Sequence, residues 1–496
     1  MYMTTLDELS LVAISPEVAK PSYDRASVQA AIVHFGVGAF HRSHEAMYID
    51  RVLALGELGW GISGVGTLPG DRAMRDALKV QDALYTLVTT DPDGTVSARI
   101  VGSIVEYFFA PEEGQDVLER LVDTRTRIVS LTITEGGYGI NDVTGLFDPN
   151  DEATLADIEG IPAGRTPRSP FGFITVALRA RRDSGLVPFT VMSCDNIQGN
   201  GTVAKAAIVA FASRLDPDLA EWIGRAVSFP NSMVDRITPA TTDSGLALVR
   251  ERFGIDDRWP VLSETFAQWV LEDSFTDGRP PLERVGVQIV DLVEPYEIMK
   301  LRLLNASHQV MGYLGLLAGA EFVHEISRDD HFSQFLHGYM HEEARPTLQP
   351  VPGIDLDEYC AQLMQRFGSE AIADTLARQV VDGSERIPKF LLPVLREQLR
   401  TGGAIIRSVL VLAAWSRFIE GVSDEGRPLE PVDRRLEELK AAVAREVTDP
   451  GAFLDYKPVF GDLGTNTRLR KAFVSARSNL AEGGARESVR TAVTRG

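Results

Sequence analysis

The sequence has little cysteine, no long hydrophobic run and no excess of positive charge. Its 496 residues include only two cysteines, Cys194 and Cys360. With only two cysteines and no Cys-x-x-Cys spacing, neither a disulfide framework nor a zinc site is expected. The formal net charge of −20 disfavours nucleic acid as a partner. The longest apolar runs, such as 409–415, are too short to cross a membrane, and the N-terminus lacks the basic start of a signal peptide, so a cytoplasmic location is expected.

Apolar segments of strand length alternate with helical stretches in the N-terminal half. The chain is 44% hydrophobic and 24% charged, which is typical of a globular protein, and its length favours two domains over one. Strands are predicted at 31–35, 60–66, 85–90, 99–104, 128–134 and from 189 onward. Because helical stretches separate them, the sequence predicts an α/β fold with a parallel or mixed sheet.

The first predicted strand runs into a turn containing Gly36 and Gly38, which a helical segment to about Leu55 follows. In dinucleotide-binding folds, glycines here allow a tight turn and let the backbone approach a pyrophosphate at the helix N-terminus. We therefore interpret this segment as a coenzyme-binding turn. His41 stands where the usual fingerprint has its third glycine, and an ordinary strand-to-helix turn is the alternative.

Asp71 is a second candidate for coenzyme binding, because it follows the strand predicted at 60–66. A carboxylate in this place accepts hydrogen bonds from ribose hydroxyls. Asp71 lies further from Gly38 than the usual spacing of about 20 residues. The alternative is that it caps a helix beginning at Arg72.

Lys300, Asn305 and His308 lie on a segment that is predicted to form one apolar helix. At about 100° per residue, Lys300 and His308 are roughly 80° apart around the axis and Asn305 falls within a fan of about 140°, so the three can converge on one ligand. A lysine that takes a hydroxyl proton and an asparagine that hydrogen-bonds the oxygen suit oxidation of an alcohol to a ketone. Taken singly, a lysine reaching to water and a core histidine are the alternatives.

Five motifs occur in a fixed order along the chain. They are Gly36-Val-Gly-Ala-Phe-His-Arg-Ser-His44, Thr134-Glu-Gly-Gly-Tyr138, Ser193-Cys-Asp-Asn196 with Asn200-Gly201, Asn231-Ser-Met-Val-Asp-Arg-Ile-Thr-Pro239 and Lys300-x4-Asn305-x2-His308. Together they resemble the polyol-specific long-chain dehydrogenases, the mannitol dehydrogenase family. The resemblance extends from about Leu11 to beyond Trp415. Taken alone, the third and fourth motifs read as ordinary loops, because Asn, Asp, Gly and Pro are what turns require.

The resemblance implies a metal-independent hydride transfer between a polyol and NAD, in which D-mannitol is oxidised at C2 to D-fructose or the reverse occurs. The implied catalytic residues are Lys300 as general base, Asn196 and Asn305 as partners of the substrate oxygen, His308 as the orienting group and Glu297 as the proton relay to solvent. The implied substrate-binding residues are Asp235, Arg378 and Arg386, the last at a position where the family often has lysine.

The resemblance also implies a coenzyme site and an architecture. The implied coenzyme-binding residues are Gly36, Gly38, Phe40, His41, Arg42, Asp71 and Glu135. A carboxylate at Asp71 favours NAD by repelling the extra phosphate of NADP, whereas glycine at the preceding position leaves NADP as the alternative. The implied fold is an N-terminal Rossmann-type domain at 1–287 followed by a mostly helical domain at 288–496. The resemblance further implies a small polyol or ketose as the binding partner, no metal ion, and a monomeric protein.

Three other functions are compatible with these residues. A hexuronate reductase of the same family would act on fructuronate or tagaturonate, whose carboxylate needs a cationic partner such as Arg378 or Arg386. A protein that binds the dinucleotide without turnover, as a sensor, is the second. An enzyme that forms a Schiff base on Lys300 is the third.

Overall fold

The computed structural model describes residues 4–140 and 146–495, which divide into two compact units. The first unit contains the described residues up to 91 and from 95 to 294, and the second contains 92–94 and 295–495. The first is built on a parallel sheet and the second is mostly helical, so the predicted α/β fold with a Rossmann-type domain and a helical domain is confirmed. None of the helices within the described ranges has the length and apolar surface that crossing a bilayer requires.

All the strands among the described residues lie in the first unit. They are β1 Thr4–Thr5, β2 Ala30–Phe35, β3 Gly61–Gly66, β4 Tyr85–Thr90, β5 Val96–Val101, β6 Ile104–Phe109, β7 Ile128–Leu131, β8 Thr190–Ser193, β9 Ser232–Asp235, β10 Ile255–Asp256, β11 Val261–Glu264, β12 Gln268–Glu272 and β13 Gln288–Val290. Its helices are α1 Ala39–Ser43, α2 Glu45–Ala54, α3 Asp71–Val80, α4 Ala110–Val122, α5 Glu152–Gly160, α6 Pro170–Asp183, α7 Asn200–Leu215, α8 Pro217–Ala226 and α9 Asp243–Phe253.

The central sheet has five parallel strands in the order β6-β3-β2-β7-β8. Numbered by appearance in the chain, this is 3-2-1-4-5, the order of a dinucleotide-binding sheet whose winding reverses beside its first strand. Every residue of β2 is buried. Ile32 packs with α2 on one face, whereas Val33 and Phe35 pack with α6 and α7 on the other. Alternate side chains of β2 therefore pack into two hydrophobic cores, one on each face of the sheet. The strand order reverses between β2 and β7.

The predicted strand at 99–104 is wrong, because these residues belong to two strands in different sheets. Arg99 to Val101 end β5, which pairs antiparallel with β4 in a small sheet of order β11-β4-β5. Ile104 begins β6 in the central sheet. Between them the Gly102 N–H donates to Asp50 Oδ1 at 3.0 Å, so the chain is anchored where it changes sheets. A continuous apolar run carries no sign of this change.

The second unit is built from helices. They are α10 Glu294–Lys300, α11 Ala306–Leu317, α12 Val323–Ser327, α13 Asp330–Gly338, α14 Leu356–Phe367, α15 Leu376–Gln379, α16 Gly383–Phe390, α17 Leu392–Thr401, α18 Ile406–Phe418, α19 Leu436–Arg445, α20 Lys457–Phe460 and α21 Thr467–Arg495, the last interrupted at Gly484. Helix α18 packs against both α11 and α21 and is buried along nearly its whole length. A helix that is apolar on all sides forms the centre of such a bundle.

The prediction of one regular helix through Lys300 and His308 is wrong. Helix α10 ends at Lys300, residues Leu301–Asn305 form a π-helical turn, and α11 begins at Ala306. The Ala306 N–H donates to the Leu301 carbonyl, five residues back. A π turn widens the helix and changes the angle between side chains on its two sides, so a constant 100° step does not describe them.

Asn200 and Gly201 join two loops of the first unit. The Asn200 side chain donates to the carbonyls of Asp195 and Ser232 and accepts from the Ser232 N–H, each at 2.9 Å. A Cβ at Gly201 would lie 2.4 Å from the Pro230 carbonyl oxygen. The backbone of helix α7 can approach this loop only because residue 201 has no side chain.

We expect Gly201→Ala to destabilise the protein by about 1–3 kcal/mol, because the added methyl group collides with backbone rather than with a mobile side chain. Gly224→Ala on α8 is the matched control, since its Cβ would meet nothing closer than Val209 Cγ2 at 3.9 Å. Alanine inside a helix is favoured over glycine, so the control should be neutral or stabilising by up to about 1 kcal/mol. Thermal unfolding of both variants checks this, and equal midpoints would contradict it.

Candidate active site

The turn after β2 is set by a close approach of two backbone segments. Gly36 has φ +90°, and a Cβ on it would lie 2.1 Å from the Thr132 carbonyl oxygen. Its N–H donates to the Val65 carbonyl at 3.1 Å, which ties the turn to β3. Gly38 is exposed, and a Cβ there would be 3.7 Å from its nearest neighbour, the Gly36 carbonyl oxygen. The turn therefore presents accessible backbone at the point where the strand order reverses.

The helix predicted to run from this turn to about Leu55 is broken. Helix α1 ends at Ser43, His44 has φ −116° and ψ −91°, and α2 begins at Glu45. Phe40 of α1 is half-buried and stacks on His44 with ring centroids 5.0 Å apart.

His41 and Arg42 point into the interior of the first unit. The His41 ring is fully buried and stacks on His34 with centroids 3.5 Å apart. Burial, reinforced by the neighbouring His34 and Arg42, holds the pKa of His41 well below its usual value. Arg42 donates to the Trp259 carbonyl, and its guanidinium lies 5.3 Å from the centre of the Tyr85 ring. These two residues support the turn from beneath.

A hydrogen-bond chain that none of the five sequence motifs indicates also supports the turn. The Thr132 hydroxyl donates to the Gly36 carbonyl at 2.6 Å. Its oxygen therefore accepts from His34 Nε2 at 2.9 Å, and His34 Nδ1 lies 2.8 Å from Ser130 Oγ and 3.1 Å from Glu45 Oε2. The signal in the sequence was His34 itself, a polar residue within the otherwise apolar strand β2.

His34, His41 and Glu45 form the one candidate metal-binding group among the described residues, with ligand atoms within 4.8 Å of one another. The two imidazole planes differ by only 13° and are stacked. Lone pairs that lie in nearly parallel planes do not converge on one ion, whereas a tetrahedral site requires that convergence. The arrangement is therefore a buried, stacked pair of imidazole rings beside a carboxylate, and it lacks the geometry of a metal centre.

Asp71 is the first residue of α3 and lies at the carboxyl end of β3, beside the Gly36 turn. Its Oδ2 accepts from the Leu68 N–H at 2.9 Å, and the residue is half-buried. A Cβ on Gly66 would lie 2.6 Å from Asp71 Cβ and 2.4 Å from the Tyr107 hydroxyl oxygen. The absence of a side chain at Gly66 thus allows Asp71 and the Tyr107 hydroxyl to pack directly against β3.

A strained segment follows β7. Thr134 has φ +65° and ψ 164°, a conformation that non-glycine residues rarely adopt. The Asp195 carboxylate holds it by accepting from the N–H groups of Ile133 at 3.0 Å and Thr134 at 2.8 Å, and from the Tyr138 hydroxyl at 2.7 Å. Glu135 lies in the 3-10 turn after Thr134, and its side chain falls outside the described part of the structure.

Asn196 and Asp235 lie at the ends of neighbouring segments of the first unit. Asn196 is exposed and follows β8 directly after Asp195. Asp235 ends β9 and is 5% exposed. The next residue, Arg236, is buried and donates to the carbonyls of Glu264 and Ser43, which fixes the end of β9 against α1.

In the second unit, the π turn separates the predicted catalytic residues into two pairs. Glu297 and Lys300 lie on α10 and are 6% and 7% exposed. Asn305 ends the π turn and is half-buried, and among the described residues its Oδ1 accepts no hydrogen bond. His308 is buried on α11, and its ring makes an edge-to-face contact with Phe367 in which the ring centroids are 5.1 Å apart. Such π turns are frequent at functional sites.

Arg378 and Arg386 meet at the short helix α15. Arg378 is about half exposed and binds the Asp374 carboxylate through Nε at 2.9 Å and Nη2 at 2.8 Å. Arg386 Nη1 donates to the carbonyls of Gln379 at 2.8 Å and Arg378 at 3.2 Å. Gln309 of α11 donates to the same Gln379 carbonyl at 2.8 Å, which links this cationic segment to the helix of His308.

Two family models match the chain, a mannitol dehydrogenase Rossmann domain at residues 30–284 and a mannitol dehydrogenase C-terminal domain at residues 292–481. The chain is 42% identical to mannitol 2-dehydrogenase of Phaeosphaeria nodorum over 480 residues, which are 96% of this chain and 83% of the relative. It is 44% identical to mannitol 2-dehydrogenase of Aspergillus fumigatus over 471 residues, which are 94% of this chain and 93% of the relative.

Two solved structures are similar over nearly the whole chain. One is Pseudomonas fluorescens mannitol 2-dehydrogenase in a ternary complex with NAD and D-mannitol, with a TM-score of 0.89, 40% identity and coverage of 99% of this chain and 100% of that chain. The other is a substrate-free D-sorbitol dehydrogenase, with a TM-score of 0.89, 36% identity and coverage of 98% and 100%. The resemblance predicted from the five motifs is confirmed, and the chain belongs to the mannitol dehydrogenase family of oxidoreductases.

Proposed function

We propose that the protein oxidises D-mannitol at C2 to D-fructose with NAD as the hydride acceptor, and that it catalyses the reverse reduction. The observation that carries the proposal is a buried lysine, Lys300, placed directly before a π turn that ends in Asn305. The similarity to a mannitol 2-dehydrogenase crystallised with NAD and D-mannitol, which covers 99% of this chain, supports the same choice of substrate and coenzyme.

Each proposed catalytic group moves a proton or stabilises charge. When bound, NAD accepts the hydride that leaves C2. Lys300 Nζ, which must first lose its own proton, takes the hydroxyl proton, and Glu297 on the same helix α10 passes that proton to solvent. Asn196 and Asn305 donate to the oxygen as charge develops, and His308 orients the neighbouring hydroxyl. With amides and a lysine meeting the oxygen, the reaction needs no metal ion as Lewis acid.

The coenzyme fits features of the first unit that glycine makes possible. The accessible backbone at Gly38 suits a pyrophosphate, and the half-buried Asp71 carboxylate at the carboxyl end of β3 suits the adenosine ribose. Asp71 accepts from the ribose hydroxyls of NAD and repels the phosphate of NADP. Phe40 and Glu135 complete the proposed site, whereas the buried His41 and Arg42 act by holding the turn.

The hydrogen bonds that Arg378 and Arg386 already make favour a neutral polyol over a hexuronate as the substrate. A uronate carboxylate would compete with Asp374 for Arg378, because the aspartate already binds two guanidinium nitrogens. Arg386 is engaged by two backbone carbonyls. Substrate hydroxyls can accept from Arg378 and donate to Asp235 without displacing a charge.

We further propose that the functional domains are 1–287 and 288–496 and that the protein works as a cytoplasmic monomer.

The deciding experiment follows NADH absorbance at alkaline pH with D-mannitol, D-arabinitol, D-sorbitol and D-mannonate, each with NAD and with NADP. Turnover of D-mannitol with NAD is the expected result. Turnover of D-mannonate alone would overturn the proposal in favour of a uronate reductase, and tight NADH binding without turnover of any substrate would leave a sensor. Trapping of substrate by borohydride without nicotinamide would point to a Schiff base instead.

Lys300→Ala should lower kcat for D-mannitol by about a thousandfold, because the general base is removed. The dissociation constant for NADH should change little, and small primary amines should restore part of the activity. Lys389→Ala is the matched control, since this lysine lies on α16 with about half of its side chain exposed. A small loss in Lys300→Ala, or a loss as large in the control, would remove Lys300 from the role of base.

Asp71→Ala should reduce the preference for NAD over NADP by about tenfold, because it removes both the acceptor for ribose and the charge that repels phosphate. Asp76→Ala is the control, because Asp76 lies on the same helix α3 and pairs with Arg75 at the surface. The ratio of kcat/KM values for the two coenzymes is the measurement. An unchanged ratio in Asp71→Ala would contradict a role in coenzyme choice and leave Asp71 only the structural role of accepting from the Leu68 N–H.

A further inference from the structure

Tyr107 extends from the edge strand β6 across the carboxyl end of β3. In the strand register Tyr107 lies opposite Gly64. A Cβ on Gly64 would be 3.0 Å from Tyr107 Cδ2, and a Cβ on Gly66 would be 2.4 Å from the Tyr107 hydroxyl oxygen. The ring therefore lies along two glycines of β3, and its hydroxyl ends beside Asp71, whose Oδ2 is 3.0 Å from the same Gly66 point.

The hydroxyl of Tyr107 is buried, and among the described residues it has no hydrogen-bond partner. A buried hydroxyl without a partner costs about 1–3 kcal/mol, so its retention points to a partner that binds later. Burial, with the Asp71 carboxylate as the second cause, raises the pKa of Tyr107 well above its usual value. The group therefore stays protonated and is available as a donor.

We propose that Tyr107 is a second binding residue for the adenosine ribose of the coenzyme, acting as the hydrogen-bond donor where Asp71 is the acceptor. The inference rests on the proposed use of NAD. Each hydroxyl of a ribose diol can both donate and accept, so a carboxylate and a phenol at one place match both capacities of the diol. The ring packs against Gly64 and Gly66, and this packing holds its hydroxyl beside Asp71.

Tyr107→Phe tests the proposal, because it removes the hydroxyl and keeps the ring. We expect the dissociation constant for NADH, measured by fluorescence titration, to rise about fivefold. For an NADH analogue that lacks both hydroxyls of the adenosine ribose, the variant and the parent should bind equally. The thermal midpoint without coenzyme should be unchanged or higher, since a buried hydroxyl without a partner has been removed.

Tyr48→Phe on α2 is the matched control, because its hydroxyl has a partner in the Ala267 carbonyl at 3.3 Å. This variant should keep the affinity for NADH. If Tyr107→Phe binds NADH as the parent does, or loses affinity equally for the analogue, Tyr107 has no contact with the ribose. If the parent itself binds no NADH, the proposed coenzyme fails rather than the role of Tyr107.

Discussion

The carbonyl oxygen of Thr132 lies where a side chain on Gly36 would begin, and the coenzyme half of the protein depends on this contact. Only glycine adopts φ +90° there without strain, so β2 can end against β7 and turn at the point where the strand order reverses. The Thr132 hydroxyl and His34 then hold the Gly36 carbonyl, and Gly38 stays open to solvent. The conformation of the backbone that is proposed to face the pyrophosphate is therefore determined by main-chain packing and not by a charged side chain.

This dependence on backbone explains how a strongly acidic chain can be suited to a phosphate-bearing coenzyme. The net charge of −20 opposes anions at long range. Backbone N–H groups at a turn bind an anion locally, and they need no surface excess of lysine or arginine. Arg42 adds a cation that is buried beneath the turn, where its charge is little screened. The acidic surface and the proposed coenzyme therefore do not conflict.

Patterns within short stretches of sequence correctly predicted those features of the fold that depend only on neighbouring residues. Strand β4 has the predicted bounds, and the glycine turn lies at the predicted end of β2. The single strand predicted at 99–104 was wrong because this apolar segment contributes to two sheets. The two strands are separated at Gly102, whose N–H donates to Asp50, a residue about 50 positions away in the chain. The π turn after Lys300 has no signature in hydrophobic periodicity, since the apolar residues continue through it. His34 was visible as a polar residue in a strand, but its partners Ser130 and Thr132 come from β7 and the residue after it, and only strand pairing brings them together.

The choice between a neutral and a charged substrate also depends on contacts that the sequence does not show. A sequence shows Arg378 and Arg386 as two cations, and two cations suit a carboxylate. The structure adds Asp374, four residues before Arg378, and two carbonyls that accept from Arg386. A cation already bonded to a carboxylate offers a new carboxylate little net gain, because one ion pair must be broken to make the other. Hydroxyl groups make no such demand, since they add hydrogen bonds to a pair that remains intact. The ion pair between Arg378 of α15 and Asp374, which precedes that helix, is thus the contact on which the proposed choice of a neutral polyol depends.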